Sequence, residues 1–115
     1  MSPKRPSQAG ALKARATVFA ALGDATRLSV LARLSNGRRE SISRLTAGTR
    51  MSRQAVTKHL RVLAAAGVVR SVRVGREALF ELEPRPIAEV RDYLDEVSRQ
   101  WDDALARLKA HVEHS

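Results

Sequence analysis

Residues 52–67 carry polar side chains at the spacing of one helix face. The sequence of this segment is SRQAVTKHLRVLAAAG, and Gln54, Thr57, Lys58 and Arg61 fall on one side of a helix. The opposite side is apolar or small and consists of Val56, Leu60, Leu63 and Gly67. The polar side offers hydrogen-bond donors and two cations without a carboxylate. These residue types predict contact with a polyanion.

The charge of the chain is concentrated around this segment. Residues 41–76 hold eight Lys and Arg and no Asp or Glu, whereas residues 77–115 hold five basic and ten acidic residues. Soluble surfaces usually mix charges of both signs. We therefore expect the middle of the chain to form the polyanion-binding face, and the acidic C-terminal third to have another role.

The composition excludes several classes of function. The chain has 115 residues, which suits one domain, and a formal net charge of +9, which favours nucleic acid as a partner. Aromatic residues make up only 3%, which argues against a platform that stacks single-stranded bases. There is no cysteine, no apolar leader and no apolar run long enough to cross a membrane, so we expect a cytoplasmic protein. We find no phosphate-binding loop and no nucleophile with a base, and we predict neither an enzyme nor a cofactor.

Capping and glycine signals divide the first two thirds of the chain into four helices. The first helix is predicted over residues 11–22 and ends at Gly23, and Asp24 is a good N-cap for a second helix that ends at Leu34. Ser41 and Ser52 are candidate N-caps for a short third helix and for the polar-faced helix, which Gly67 ends. In the second helix, the residues predicted to face inward are Leu28, Leu31 and Leu34. A short helix, a turn and a longer polar-faced helix outline a helix-turn-helix.

After Gly67 the helical spacing of apolar residues ends, and apolar residues largely alternate with polar ones. VVRSVRV and EALFEL flank Gly75 and Arg76, which predicts a basic β-hairpin with Ala78, Phe80 and Leu82 facing inward. A last long helix is expected to begin at Pro86, and its apolar residues recur at helical spacing from Ile87 to Val112. This apolar stripe is longer than a small domain needs to cover itself. We therefore predict that it packs against a second copy of the chain.

This order of elements resembles the ArsR/SmtB family of winged helix-turn-helix transcriptional repressors. The resemblance rests on LGDATRLSVLARL, MSRQAVTKHLRVLAAAGVV and VGREALFEL, and it covers roughly residues 12–83. It implies a mainly α fold with a small β-hairpin wing, in the order α-α-α-α-β-β-α. It also implies a homodimer that binds operator DNA, with the polar-faced helix in the major groove and the hairpin on the backbone or in the minor groove.

Individual roles on DNA follow from the residue types. Arg53 is suited to bidentate hydrogen bonds with guanine, and Gln54 to bidentate hydrogen bonds with adenine. Thr57 is suited to contact with a thymine methyl group or a phosphate. Lys58 and Arg61 suit phosphates, which position the protein without reading sequence. The predicted DNA-binding residues of this helix are Ser52, Arg53, Gln54, Thr57, Lys58, His59 and Arg61. His59 lies at the edge of the apolar stripe, so structural packing is its alternative role. From the wing we predict Arg70, Arg73 and Arg76.

The chain departs from the family's metal-sensing patterns. The cysteines that thiolate sensors of the family carry at the start of the third helix align here with Ser41 and Ser43. His111 and His114 match half of a second kind of family site, but the other half falls near Ser98 and Gln100, which are poor ligands. We therefore predict no metal site. The second alternative function is that of a metal-responsive repressor that uses the C-terminal histidines.

The sequence thus predicts a homodimeric, sequence-specific repressor on double-stranded DNA with an inverted-repeat operator. We expect a disordered basic tail over residues 1–10, a winged helix-turn-helix domain over 11–84 and a dimerisation helix over 85–115. The predicted dimer interface is formed by Leu12, Phe19, Val90, Leu94, Val97, Trp101, Leu105 and Leu108. The first alternative is a nonspecific nucleoid-type or RNA-binding protein. Any small-molecule effector is unknown from the sequence.

Overall fold

The computed structural model describes residues 8–114 and has five helices and a three-stranded sheet there. The elements in chain order are α1 (Gln8–Leu22), α2 (Ala25–Leu34), β1 (Glu40–Ser41), α3 (Ile42–Ala47), α4 (Arg53–Ala65), β2 (Val69–Val74), β3 (Glu77–Leu82) and α5 (Pro84–Glu113). This order confirms the predicted winged helix-turn-helix. α1 begins three residues before the predicted domain boundary, so residues 8–10 are helical. The rest of the predicted basic tail, residues 1–7, lies outside the described residues.

Local capping starts three of the helices where the sequence predicts. The side chains of Asp24, Ser41 and Ser52 each accept a hydrogen bond from a backbone N–H in the first turn of α2, α3 and α4. These bonds satisfy N–H groups that a helix leaves without an internal partner. α5 begins at Pro84, two residues earlier than expected, with both prolines of its first turn at positions that need no N–H donor.

One core joins all the helices. The side chains that are essentially inaccessible to solvent include Leu34 of α2, Leu45 of α3, and Val56, Leu60 and Leu63 of α4. α1 contributes Val18 and Ala21, and α5 contributes Val90. The core therefore fixes the inner side of α4 and leaves its polar side outward.

Two inward-facing predictions are wrong. Leu28 of α2 is 47% exposed, while Val30 of the same helix is buried, because the core meets α2 on the side of Val30, Leu31 and Leu34. Ala78 is exposed near the tip of the hairpin, where the wing has left the core, whereas Phe80 and Leu82 pack against it as expected.

The wing is anchored by a strand that the sequence did not predict. β3 lies in the centre of the sheet, antiparallel to both β2 and β1. β1 has only two residues, with Glu40 opposite Phe80 and Ser41 opposite Leu79. Because β1 leads directly into α3, the root of the wing is attached to the first helix of the helix-turn-helix.

Candidate nucleic-acid interface

α4 is held rigidly at both ends. At its start, the amide of Ala55 donates to Ser52 Oγ at 3.1 Å. At its end, Gly67 adopts a positive φ of 77°, and the amides of Gly67 and Val68 each donate to a carbonyl of the last turn at 2.9 Å. Glycine adopts this conformation without the steric cost that a side chain would add. The helix and the polar residues on it therefore have one defined orientation relative to the core.

The exposed side of α4 is a shallow, acid-free concavity. It is lined by Ser52, Arg53, Gln54, Ala55, Thr57, Lys58 and Arg61. The structure thus brings together every predicted DNA-binding residue of this helix except His59. Within residues 8–114, no hydrogen bond or ion pair engages the side chains of Gln54, Lys58 or Arg61. Those donors are available to an external acceptor.

Two residues at the start of α4 have internal partners. Arg53 Nη1 donates to Ser43 Oγ of α3 at 3.2 Å, and the Thr57 hydroxyl donates to the carbonyl of Arg53 at 2.8 Å. Ser43 therefore holds the guanidinium of Arg53 at the start of the helix. Thr57 nevertheless lines the concavity and is partly exposed.

His59 lies on a different side of α4. It is half-buried and lies near Asp24, the N-cap of α2. The pKa of the Asp24 carboxyl is lowered mainly because the amide of Arg27 donates to it at 2.9 Å, and His59 adds to this shift. This position suits packing against α2 better than contact with a ligand in the concavity.

The three wing arginines differ in their surroundings. Arg70 Nε donates to Glu81 Oε1 at 2.6 Å, and the pKa of Arg70 is raised because of this bond. Arg73 and Arg76 are exposed at the other end of the hairpin, next to Gly75, and no carboxylate of residues 8–114 pairs with them. The free positive charge of the wing therefore lies at its tip.

Two arginines outside the predicted interface have structural partners. Arg27 donates to the carbonyls of Ala20 and Ala21 at the end of α1, at 3.1 and 2.7 Å. Arg33 donates to the carbonyls of Arg44 and Leu45 in α3. Helix ends leave such carbonyls without an internal partner, so these two cations stabilise the fold.

Arg50 lies in the turn between α3 and α4 and is not among the DNA-binding residues that the sequence predicts. Arg50 is exposed, and no ion pair engages it among the described residues. Its membership of the acid-free stretch 41–76 was the available signal. Arg50 lies two residues before the N-cap of α4, and Ser43 of α3 contacts Arg53, so both residues are candidates to extend this surface.

The far half of α5 leaves the body of the protomer. Every residue from Ser98 to His114 is exposed, and the exposed fractions of Leu94, Trp101, Leu105 and Leu108 are 49%, 66%, 56% and 58%. Leu12 of α1 is 52% exposed. Phe19 and Val97 are half-buried, with the ring of Phe19 6.2 Å from that of Tyr93 in an edge-to-face arrangement.

Val90, which the sequence predicted to lie in the dimer interface, occupies a different place. It is 5% exposed and belongs to the core of its own protomer, where α5 crosses α1. The exposed stripe therefore begins at Leu94.

Neither a cluster of metal ligands nor a membrane-spanning helix is found in the part of the chain that the structure describes. No three His, Asp or Glu side chains in residues 8–114 lie close enough together to hold a metal ion. His111 and His114 are both on the exposed end of α5. None of the described helices is long and apolar enough to cross a membrane.

Comparison with known proteins gives the family. A model of a helix-turn-helix domain matches residues 22–72. The HTH-type transcriptional regulator Rv2034 of Mycobacterium tuberculosis is 35% identical over 85 residues, which cover 74% of this chain and 76% of that protein. The solved structure of an ArsR-like transcriptional regulator from Rhodococcus sp. RHA1 superposes with a TM-score of 0.79 at 38% identity, covering 87% of this chain and 93% of that one. The chain belongs to the ArsR family of transcriptional regulators.

Relatives of this ArsR-family chain include a repressor. The HTH-type transcriptional repressor SmtB of M. tuberculosis is 31% identical over 94 residues, which cover 82% of this chain and 67% of that protein. The matched helix-turn-helix region contains α2, α3, α4 and most of β2. The sequence resemblance to the ArsR/SmtB family is thereby confirmed.

Proposed function

We propose that this ArsR-family chain is a homodimeric repressor that binds double-stranded DNA at an inverted-repeat operator. The observation that carries the proposal is the exposed side of α4, which is lined by donors and cations and has no carboxylate. The major groove of DNA admits one helix, and phosphates on both sides of it attract such cations. Because α4 is attached rigidly to the core, the protein presents a preformed surface to the groove.

The residues of the interface divide into two roles. Arg53 and Gln54, at the start of α4, contact base edges, since the first residues of a recognition helix are those that reach into the groove. Ser52 and Thr57 contact the backbone or a thymine methyl group, and Lys58 and Arg61 bind phosphates. Arg73 and Arg76 bind phosphates from the wing, and Arg50 does so from the turn before α4.

The dimer forms through α1 and the exposed stripe of α5. Leu12, Leu94, Trp101, Leu105 and Leu108 are all about half exposed or more. The residues of α5 among them recur at helical spacing, and monomeric soluble proteins rarely expose large contiguous apolar patches. A two-fold axis between two such chains presents two copies of α4 to successive turns of one DNA face, about 34 Å apart. The operator is therefore an inverted repeat.

The same surface argues against an enzyme. The concavity contains no carboxylate and no histidine, so neither hydroxyl that lines it, Ser52 or Thr57, has an adjacent base there. A nucleophile needs an adjacent base. We infer that the chain acts by binding DNA alone and needs no cofactor for that binding.

Selection from fragmented genomic DNA of the source organism tests the proposal. The purified full chain is mixed with the fragments at about 150 mM salt, where phosphate attraction alone is weak, and the retained fragments are sequenced. An enriched inverted repeat supports a specific repressor. Retention without sequence preference would overturn specific recognition and favour a packaging role, since only base contacts distinguish one sequence from another. A variant with Arg53 and Gln54 both changed to alanine is the matched control and should lose the enrichment.

A further inference from the structure

Three charged residues form one row across the sheet at the root of the wing. β3 is the central strand, so a residue on β3 has neighbours on both β1 and β2. Arg70 of β2 lies opposite Glu81 of β3, and Glu40 of β1 lies opposite Phe80. The same antiparallel register places Arg39, just before β1, beside Glu81. The row is therefore Arg39, Glu81 and Arg70.

One carboxylate binds both arginines of this row. Arg39 Nε donates to Glu81 Oε2 at 2.8 Å, and Arg70 Nε donates to Glu81 Oε1 at 2.6 Å. Glu83 adds a second carboxylate, 3.6 Å from Arg70. The side chain of Glu81 is only 13% exposed, whereas that of Arg70 is 62% exposed. The carboxylate thus lies against the sheet and its two cations cover it.

Near neutral pH, Glu81 stays ionised and Arg70 stays protonated. The pKa of Glu81 is lowered because Arg39 and Arg70 donate to its ionised form, and the pKa of Arg70 is raised by the same carboxylate. The positive charges of both arginines are therefore largely offset at the root of the wing. At the tip, Arg73 and Arg76 have no such offset among the described residues.

We propose that Glu81 positions the wing and withholds Arg39 and Arg70 from DNA phosphates. The proposal rests on the proposed function and deepens it. Glu81 attaches the hairpin to the segment before α3, so it fixes the direction in which the tip extends from the helix-turn-helix. Arg70 is then a structural partner of Glu81, and the phosphate contacts of the wing come from Arg73 and Arg76.

The salt dependence of DNA binding measures this division directly. Each phosphate contact contributes about 0.9 to the slope of log affinity against log salt, and a dimer has two copies of each arginine. Removing a true contact therefore lowers the slope by about 1.8 per dimer. A residue that only supports the fold can change the affinity at one salt concentration but leaves the slope unchanged.

The experiment compares Arg70→Ala with Arg76→Ala, two identical changes on one hairpin. Fluorescence anisotropy gives the affinity of the full chain for a random-sequence DNA duplex at several salt concentrations between about 50 and 200 mM. We expect Arg76→Ala to lower the slope by about 1.8 and Arg70→Ala to leave it unchanged. If Arg70→Ala lowers the slope as much as Arg76→Ala does, Arg70 binds phosphate and the proposal is wrong.

A third variant tests Glu81 itself. Glu81→Gln removes the carboxylate partner of Arg39 and leaves Arg70 with only Glu83, at 3.6 Å, so we expect a steeper slope on the random duplex. We also expect a smaller ratio of specific to nonspecific affinity, since the wing loses its fixed direction. An unchanged slope in a folded Glu81→Gln variant would also contradict the proposal. If this variant does not fold, the comparison of Arg70→Ala with Arg76→Ala decides alone.

Failure of the further inference differs from failure of the proposed function. A wild-type chain that binds no duplex even at about 50 mM salt, where phosphate attraction is strong, refutes DNA binding altogether. If the wild-type chain binds with a steep slope and Arg70→Ala lowers this slope as much as Arg76→Ala does, DNA binding stands and only the role assigned to Glu81 is refuted. If neither variant changes the slope, the tip of the wing does not bind phosphate and the proposal is also wrong.

Discussion

Replacing Trp101 by glutamate should separate the proposed dimer into monomers. Trp101 is 66% exposed in the protomer and is the largest side chain on the exposed stripe of α5. The stripe continues with Leu105 and Leu108 on the part of α5 in which every residue from Ser98 to His114 is exposed. A glutamate at its centre places a charge on the apolar surface that we propose is buried in the dimer, and a charge without a partner is costly to bury.

The size of the effect follows from the exposed area. A tryptophan buries up to about 250 Å², so the fraction still exposed in the protomer corresponds to roughly 165 Å². At about 25 cal/mol per Å², its burial contributes up to about 4 kcal/mol per protomer, and both protomers contribute in a two-fold interface. Losing even half of the dimer total, about 4 kcal/mol, weakens dimerisation by roughly a thousandfold.

Sedimentation velocity over a range of protein concentrations measures the change, and circular dichroism checks that the variant is folded. Arg107→Glu is the matched control, because it puts a glutamate on the same exposed half of α5 but off the stripe. We expect monomers for Trp101→Glu and dimers for Arg107→Glu. A folded Trp101→Glu variant that stays dimeric would show that the stripe is not the interface. Dissociation of both variants would mean that charge on α5, rather than burial of the stripe, controls association.

Three further predictions concern recognition, the core and pH. Arg53→Ala should reduce the free energy of operator binding by about 1–3 kcal/mol and flatten the base preference at one or two base pairs, whereas Arg76→Ala should weaken binding to all sequences alike. Competition with operators that carry single-base changes measures both effects. A uniform loss in both variants would refute the division of roles. Leu63→Ala should lower the free energy of unfolding by about 2–5 kcal/mol in urea titrations, because Leu63 of α4 is fully buried in the core. A loss below about 1 kcal/mol would contradict this packing. The lowered pKa of Asp24 means that its charge stabilises the fold above its ordinary pKa of about 3.9 and that this stabilisation is lost as the pH falls through the lowered value. The difference in urea midpoint between the wild type and Asp24→Asn should therefore shrink below about pH 4, and a difference independent of pH would refute the capping charge.

The geometry of the candidate interface could largely be predicted, because its signals are local. Ser52 and Gly67 mark the ends of α4, and the side chain of one and the positive φ of the other act within a few residues of their own position. Gly75 marks the turn of the wing in the same way, with a φ of 62°. The polar face of α4 follows from helical spacing alone. These features depend on residues within one short segment and not on the rest of the chain.

The sequence could not assign the partners of charged residues. Arg70 and Arg73 have the same residue type and lie three positions apart, yet Arg70 pairs with Glu81 and Arg73 has no carboxylate partner among the described residues. Arg27 and Arg33 count toward the basic charge but bind helix carbonyls. Their partners lie six to twelve residues away in the chain, and the packing of helices and strands brings them together.

The sequence by itself determined the helix-turn-helix, the hairpin and the acid-free surface, because each depends on spacing and capping within one short segment. Only the tertiary structure decided that β1 anchors the wing, that Val90 belongs to the core, and that Glu81 takes up Arg39 and Arg70. A two-residue strand has no period to detect, and Arg39 is 42 residues from Glu81 in the chain. Such contacts depend on the register of the whole sheet, which no single segment encodes.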